Sequence, residues 1–364
     1  MNSNIDITEF YGTITQQEKY FTWLRTIMEV ISVINMVLVI FSVYIIRKFG
    51  SGLKSDYRQV LLVNQIFPSI FSWYMGFIYQ PYIIFPYHFL LTIGFFRFGP
   101  YVTAHLFNIC CSLAILTSMG LIYSFYHNYI TICFRVSKQN STKSNGYGLL
   151  IGLIFTILNF LLMTLGVSDR QYEDWDYFFN IDDRNREFFE KYSIAVVRVA
   201  DKWSLKVLSI EAFIGISIVV IVIPIITIKS HTTLNGMHNV VSRTTLTHLQ
   251  NALTISLWYL LQFGLLVGVP AATAMGLLLT HYTPSHTFPL AMVVLIPTQL
   301  TCPVICILYL TVIKPLRYGT LRFFGLKKMA PKGISQMSTQ SHFSTGPSYV
   351  RRSNNAPYST MMLH

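Results

Sequence analysis

The chain has 364 residues, of which 12% are charged and 52% hydrophobic, and its formal net charge is +12. About a quarter of the residues of a soluble domain are charged, so this composition excludes an ordinary soluble enzyme or nucleic-acid-binding domain and indicates a membrane protein. The basic excess then becomes a matter of which side of a bilayer each cation occupies.

In chain order, residues 1–21 are polar and lack a basic n-region followed by an apolar stretch and a small-residue cleavage site. They read as an extracellular N-terminus with no cleaved signal peptide, the first span serving as its own insertion signal. Charge-poor runs then recur at 27–46, 60–78, 100–126, 147–167, 207–228, 249–279 and 288–313. Each can cross about 30 Å of hydrocarbon, which takes about 20 helical residues, so the chain predicts an all-α membrane protein with a seven-transmembrane helix bundle at 22–317. The separators, such as "RKFGSGLKSDYR", "RVSKQNSTKSNG" and "THYTPSH", are polar or breaker-rich, as connections between helices should be.

The stretch "YIIFPYHFLLTIGFF" (82–96) is apolar but lies between the second and third spans, and Pro86 and Arg97 bracket too few residues to cross. It predicts a re-entrant piece or an outer-leaflet extension of the third span. The sixth span, "LLQFGLLVGVPAATAMG", combines Gly264, Gly268 and Pro270, the fifth carries Pro224, and the seventh carries Pro297 and Pro303. A proline removes a backbone donor and kinks a helix, so the sixth-span trio is a candidate pivot. After the seventh span, "YGTLRFFGLKKM" interleaves apolar and basic residues, predicting a short amphipathic eighth helix over 318–330 on the membrane surface. Residues 331–364 are Ser/Thr-rich and poor in aliphatics, the composition of a disordered cytoplasmic tail.

Basic residues set the orientation. With the N-terminus outside, the inner segments hold seventeen Lys and Arg, against Lys19 and Arg97 in the short outer segments and Arg25 at the mouth of the first span. The positive-inside rule therefore predicts N-out and C-in. The long loop 168–206 carries nine of the fifteen acidic residues and falls outside. The net charge is thus mostly a topology signal, needing no nucleic-acid partner, although cations beside a bilayer also attract anionic lipid.

Signatures of enzyme chemistry are missing: the chain has no phosphate-cradling Gly-rich loop, GxSxG or HExxH, and no intramembrane aspartate pair. No catalysis, cofactor or metal is expected. Cys302 and Cys306 share a helical face, and His281 and His286 share a loop, but neither pair has further ligands at metal spacing. Within the spans the carboxylates are Glu29 and Glu211, both toward the outer face. Each is either a ligand contact or a side chain snorkelling beside Arg25 or Lys206.

Several short motifs occur in one layout: "QPYIIFP" (80–86) after the second span, "FYHNY" (125–129) closing the third, "SRTTLTHLQNALTISL" (242–257) entering the sixth and "IKPLRYG" (313–319) closing the seventh. In this the chain resembles the nematode serpentine chemoreceptors of the Str superfamily, and is most similar to the Srh-type and Sri-type families. The resemblance implies a G-protein-coupled receptor of sensory-neuron cilia, in the plasma membrane, that binds a small chemical and signals through a heterotrimeric G protein. A receptor kinase and arrestin would act at the tail. The Asp/Glu-Arg-Tyr switch of rhodopsin-like receptors is replaced here by His127-Asn128-Tyr129, and their Asn-Pro-x-x-Tyr by Cys302-Pro303 with Tyr309 farther on, so the rhodopsin ionic lock does not carry over. On this reading a small, largely apolar ligand lies in the outer half of the bundle. There Tyr101, His105 and Asn108 meet Glu211, Pro270 and Gln299, while His127, Asn128, Tyr129 and Arg135 face the G protein. The alternatives are a seven-span ligand-gated channel, with its N-terminus inside, and a small carrier, which would show internal repeats.

Overall fold

The computed structural model describes residues 7–53, 55–84, 89–94, 96–133, 138–168, 171–180, 183–196, 203–236, 243–270, 272–273 and 287–326. The helices are α1 (Ile7–Phe49), α2 (Ser55–Trp73), α3 (Pro100–Cys133), α4 (Lys138–Met163), α5 (Gln171–Phe179), α6 (Asp183–Lys191), α7 (Trp203–Gly236), α8 (Arg243–Phe263), α9 (Thr287–Val312) and α10 (Lys314–Phe323). Among the described residues six segments are long and apolar enough to cross a membrane, falling in α1, α2, α3, α4, α8 and α9 with their extensions. The 34-residue α7 contains the span that the sequence predicts at 207–228.

The helices wear their apolarity outward. On α1, Val33, Ile34, Val37 and Ile40 are exposed, whereas Leu24, Met28, Ser32, Asn35, Val39, Ser42 and Ile46 are buried at steps of three or four residues. That spacing is one face of a 3.6-residue helix, and the small and polar side chains on it are what a bundle interface in lipid uses.

Two apolar clusters fill the bundle. At one end lie Phe21, Leu24, Met28, Phe71, Tyr74, Cys110 and Leu295. At the other lie Ile45, Leu61, Leu121, Phe125, Tyr259, Ile305 and Tyr309. Between them the helices bury a belt of neutral polar side chains: Ser32 and Asn35 on α1, Asn64 and Gln65 on α2, Thr117 on α3, Gln262 on α8, and Gln299 and Thr301 on α9.

The described residues of 82–96 lie mostly in strands, where the sequence predicts a re-entrant piece or an extension of the third span. β1 (Pro81–Ile84) and β2 (Phe89–Thr92) pair antiparallel, and β3 (Ser193–Val196) from the long acidic loop pairs with β2, giving the order β1-β2-β3. The acidic loop is itself structured, since α5 and α6 precede β3. Gln171 closes the free edge of β3 by donating from Nε2 to the Val196 carbonyl and accepting from the Val196 N–H, both at 2.9 Å. Tyr82, Leu91, Ile194 and Val196 join the first apolar cluster, so the sheet caps that end of the bundle; we call it the sheet end.

Three further differences concern helix limits. α1 begins at Ile7, inside the region read as a polar N-terminus. Its 43 residues, at about 1.5 Å each, exceed a bilayer's hydrocarbon thickness roughly twofold, so its first turns project beyond the membrane. Helical structure also resumes at Lys138, within the polar separator, because hydropathy marks where a helix leaves lipid and not where it stops. Finally, α2, α4 and α8 each pass into a π-helical turn, at Tyr74–Tyr79, Thr164–Ser168 and Gly264–Gly268. These three helices run in the same direction, so all three wide turns lie toward the sheet end.

Candidate functional site

The sheet end carries a polar hub of which the sequence expectations contain the Arg25–Glu29 pair but not Gln80. Gln80 ends the π turn of α2 in the left-handed region, at φ 42° and ψ 62°, a conformation costing a non-glycine residue about 1–2 kcal/mol. Its fully buried side chain offsets this cost, donating from Nε2 to the Gly76 carbonyl at 2.6 Å and to Glu29 Oε1 at 3.2 Å. Arg25 Nε donates to the same Glu29 oxygen at 3.0 Å. Glu29 is thus an anchored ion-pair partner of Arg25. Farther out, Glu18 accepts from Lys191 Nζ at 2.7 Å and from the Tyr192 hydroxyl at 2.5 Å, tying α1 to the end of α6. Burial, and then the Glu18 carboxylate, push the Tyr192 phenol above its ordinary range, so it remains a donor at physiological pH.

The predicted ligand residues are distributed as follows. Tyr101 is exposed, and its ring meets that of Tyr172 on α5 edge-on at 5.1 Å. His105 is half-buried. Asn108 is fully buried and donates to Thr164 Oγ1, in the π turn after α4, at 3.4 Å. This face of α3 therefore reaches toward α4 and α5. Pro270 is buried at the sheet-facing end of the α8 continuation, and Gln299 is fully buried on α9 with neither side-chain polar atom hydrogen-bonded. The Glu211 side chain lies outside the described residues.

At the pivot, a Cβ on Gly264 would meet nothing within 4 Å, so this glycine supplies backbone freedom and not close packing. The segment is moored to α9 at two points. Gln262 Nε2 donates to the Thr301 carbonyl at 2.6 Å, and Thr298 Oγ1 reaches the Leu266 carbonyl inside the π turn at 3.4 Å. An i→i+5 turn leaves carbonyls imperfectly paired, and the threonine hydroxyl partly satisfies one of them.

At the opposite end the sequence expectation needs correcting. His127 and Asn128, read as meeting the cytosol, are only 6% and 5% exposed. Asn128 Nδ2 donates to Ser256 Oγ on α8 at 2.6 Å, in a buried contact, and the His127 ring lies 6.4 Å from that of Tyr123. The physical reason is that α3 runs on to Cys133, so this pair sits more than a turn inside the helix end and is drawn in by a polar partner across the interface. Tyr129 lies beneath Lys229 of α7, whose Nζ is 5.9 Å from the ring centroid. Arg135 lies outside the described residues.

The chain is a bundle of long apolar helices, and residues 21–326 match the serpentine-type 7TM GPCR chemoreceptor Srh family. The chain belongs to the Srh chemoreceptor family. Of the two families that the sequence resembles, Srh is therefore the one shown. No curated protein matches the chain. As an Srh chemoreceptor it is a multi-pass membrane protein of a receptor class, and its sixth and third spans are α8 and α3.

Proposed function

We propose that this Srh chemoreceptor binds a small chemical in the sheet-end half of the bundle and passes the signal to a heterotrimeric G protein at the end carrying α10. The sheet end is outside and the α10 end cytoplasmic, in the plasma membrane of a sensory neuron and its cilium. Receptor kinase and arrestin would act on the tail, 331–364, which lies outside the described residues.

The observation that carries this reading is the construction of α8. One end has a π turn bounded by two glycines and followed by Pro270, where two hydrogen bonds to α9 are the side-chain ties described above. The other end is held to α3 by the neutral Asn128–Ser256 hydrogen bond. A ligand preferring one arrangement of the hinge shifts the population of the other end. Asn108, Glu211, Pro270 and Gln299 are the polar and hinge positions of the ligand half, with Tyr101 and His105 on its α5-facing rim. Tyr129 and Arg135 stand nearest the G protein, with His127 and Asn128 behind them. With Glu211 as the one carboxylate among its positions, the ligand half has few charges and suits a small, largely apolar ligand.

The test is a ligand panel applied to cells expressing the receptor, read by calcium or cAMP imaging with and without a G-protein blocker. Responses abolished by the blocker are expected. Ligand-evoked currents that survive it would replace this reading with the channel alternative.

A further inference from the structure

We propose that the junction of α1, α2 and α10 is a binding site for anionic phospholipid. α10 carries Pro315 in its first turn, which presets a helical start, and is closed just past its end by Gly325, whose φ of +69° lets the Leu326 N–H reach back to the Leu321 carbonyl at 2.9 Å. The helix is pressed against the end of α1, since a Cβ on Gly319 would lie 2.6 Å from the Phe49 ring. Around this contact stand six cations: Arg47 and Lys48 closing α1, Arg58 in α2, and Lys314, Arg317 and Arg322 on α10. The Arg58 stem passes Gly50, its Cδ 3.6 Å from where a Cβ would be, which brings it beside the Phe49–Gly319 seam. Lys48 is held in place by the Tyr44 hydroxyl, 2.5 Å away, with its ammonium over the Tyr44 and Phe49 rings. None of the six has an ion-pair partner among the described residues.

Apolar groups beside these cations identify the occupant. Phe323 and Phe324 pack against Phe41 at centroid distances of 5.1 and 5.6 Å, and Phe323 against Tyr44 at 5.9 Å. Phe41 stands six residues before Arg47, about 9 Å deeper into the bilayer at 1.5 Å per residue. The two phenylalanines therefore enter hydrocarbon while Lys314 and Arg317 stay at headgroup level, the disposition of an interfacial helix. Phe323, Phe324 and Leu326 remain more than half exposed. The acidic surface of a soluble protein would match the cations but leave these three side chains in water. A phospholipid satisfies both, with its phosphate among the cations and an acyl chain along Tyr44, Phe323 and Phe324.

The full-length receptor, purified in mixed micelles, is titrated with phosphatidylserine and separately with phosphatidylcholine, and retained lipid is counted by native mass spectrometry. Each cation near an anionic surface contributes roughly fivefold in affinity. The double substitution Lys314→Gln and Arg317→Gln should therefore weaken phosphatidylserine retention by roughly 25-fold while leaving phosphatidylcholine retention and the melting temperature unchanged. Arg351→Gln with Arg352→Gln removes the same charge from the tail and should leave retention as in the parent chain. Equal losses in the two doubles would make the attraction diffuse and overturn the site. Unchanged retention in the first double would overturn it as well, and if that double instead lost affinity for G protein in pure phosphatidylcholine, the patch would be a protein-docking surface.

Discussion

At the scale of single residues, the contact with the largest expected consequence is Asn128 to Ser256. A net hydrogen bond of this kind contributes about 0.5–1.5 kcal/mol, equivalent to roughly 2–10-fold in a two-state population. Asn128→Ala and Ser256→Ala should each raise ligand-free signalling by that factor, and the double variant should add little to either. Basal cAMP or G-protein dissociation at matched surface expression measures it, and basal signalling at or below the parent level would reduce the pair to a packing contact. On the ligand side, Glu211→Gln removes only a charge, so it should shift the dose–response curve at normal surface expression; an unchanged curve would make Glu211 a snorkelling residue. The sequence displays Asn128 as a polar residue among aromatics, but its direction is not legible there. An amide at a helix end serves equally to face water or a hydroxyl, and the deciding hydroxyl lies 128 positions later. Glu29 is more legible, because its partner Arg25 stands one helical turn away. Gln80, the third member of that hub, is 51 residues from Glu29 and becomes its neighbour only through the fold.

Among the elements, the packing of α1 against α2 offers a stringent check. A Cβ on Gly76, in the π turn after α2, would collide with Ser32 Oγ and fall 3.0 Å from the Met28 carbonyl, and Ser32 is itself fixed by donating to the Ser72 carbonyl at 3.0 Å. Gly76→Ala should destabilise the receptor by about 1–3 kcal/mol or more, the usual range for overpacking, and lower its melting temperature in detergent. A melting temperature equal to the parent's would show that α1 and α2 can slide apart there. Gly264→Ala, which meets open space, should by contrast leave folding intact. The spans are legible in the sequence because lipid demands about 20 apolar residues in a row. The strands are not. β2 and β3 have both faces covered, with Leu90, Leu91, Thr92, Ser193, Ile194, Ala195 and Val196 all buried, so the alternation that marks a half-exposed strand is lost and "YIIFPYHFLLTIGFF" reads as one apolar run. The π turns are only partly legible: each contains a glycine, but only Gly264 and Gly268, beside Pro270, stand out in the sequence, because a single extra residue per turn does not change which residue types lipid accepts.

For the whole molecule, orientation is the expectation on which the others depend. Asn140-Ser141-Thr142 is the sole Asn-x-Ser/Thr sequon in the chain, and such sites are glycosylated only on the lumenal or outer side. With the α10 end cytoplasmic it should stay unmodified in microsomes, whereas Asp182→Thr, which makes Asn180 a sequon in the acidic loop, should gain glycan. Glycan on Asn140 together with none at Asn180 would invert the protein and favour the channel alternative. Orientation also bears on the polar belt midway through the bundle. Among the described residues, the belt is built of amides and hydroxyls, from Asn35 and Gln65 to Gln262 and Gln299, and contains no ionised group. Work done by the transmembrane voltage scales with the charge displaced, at about 2.3 kcal/mol per elementary charge per 100 mV. A rearrangement confined to this belt would carry almost no gating charge, so a swing in membrane potential would by itself do little work on these side chains.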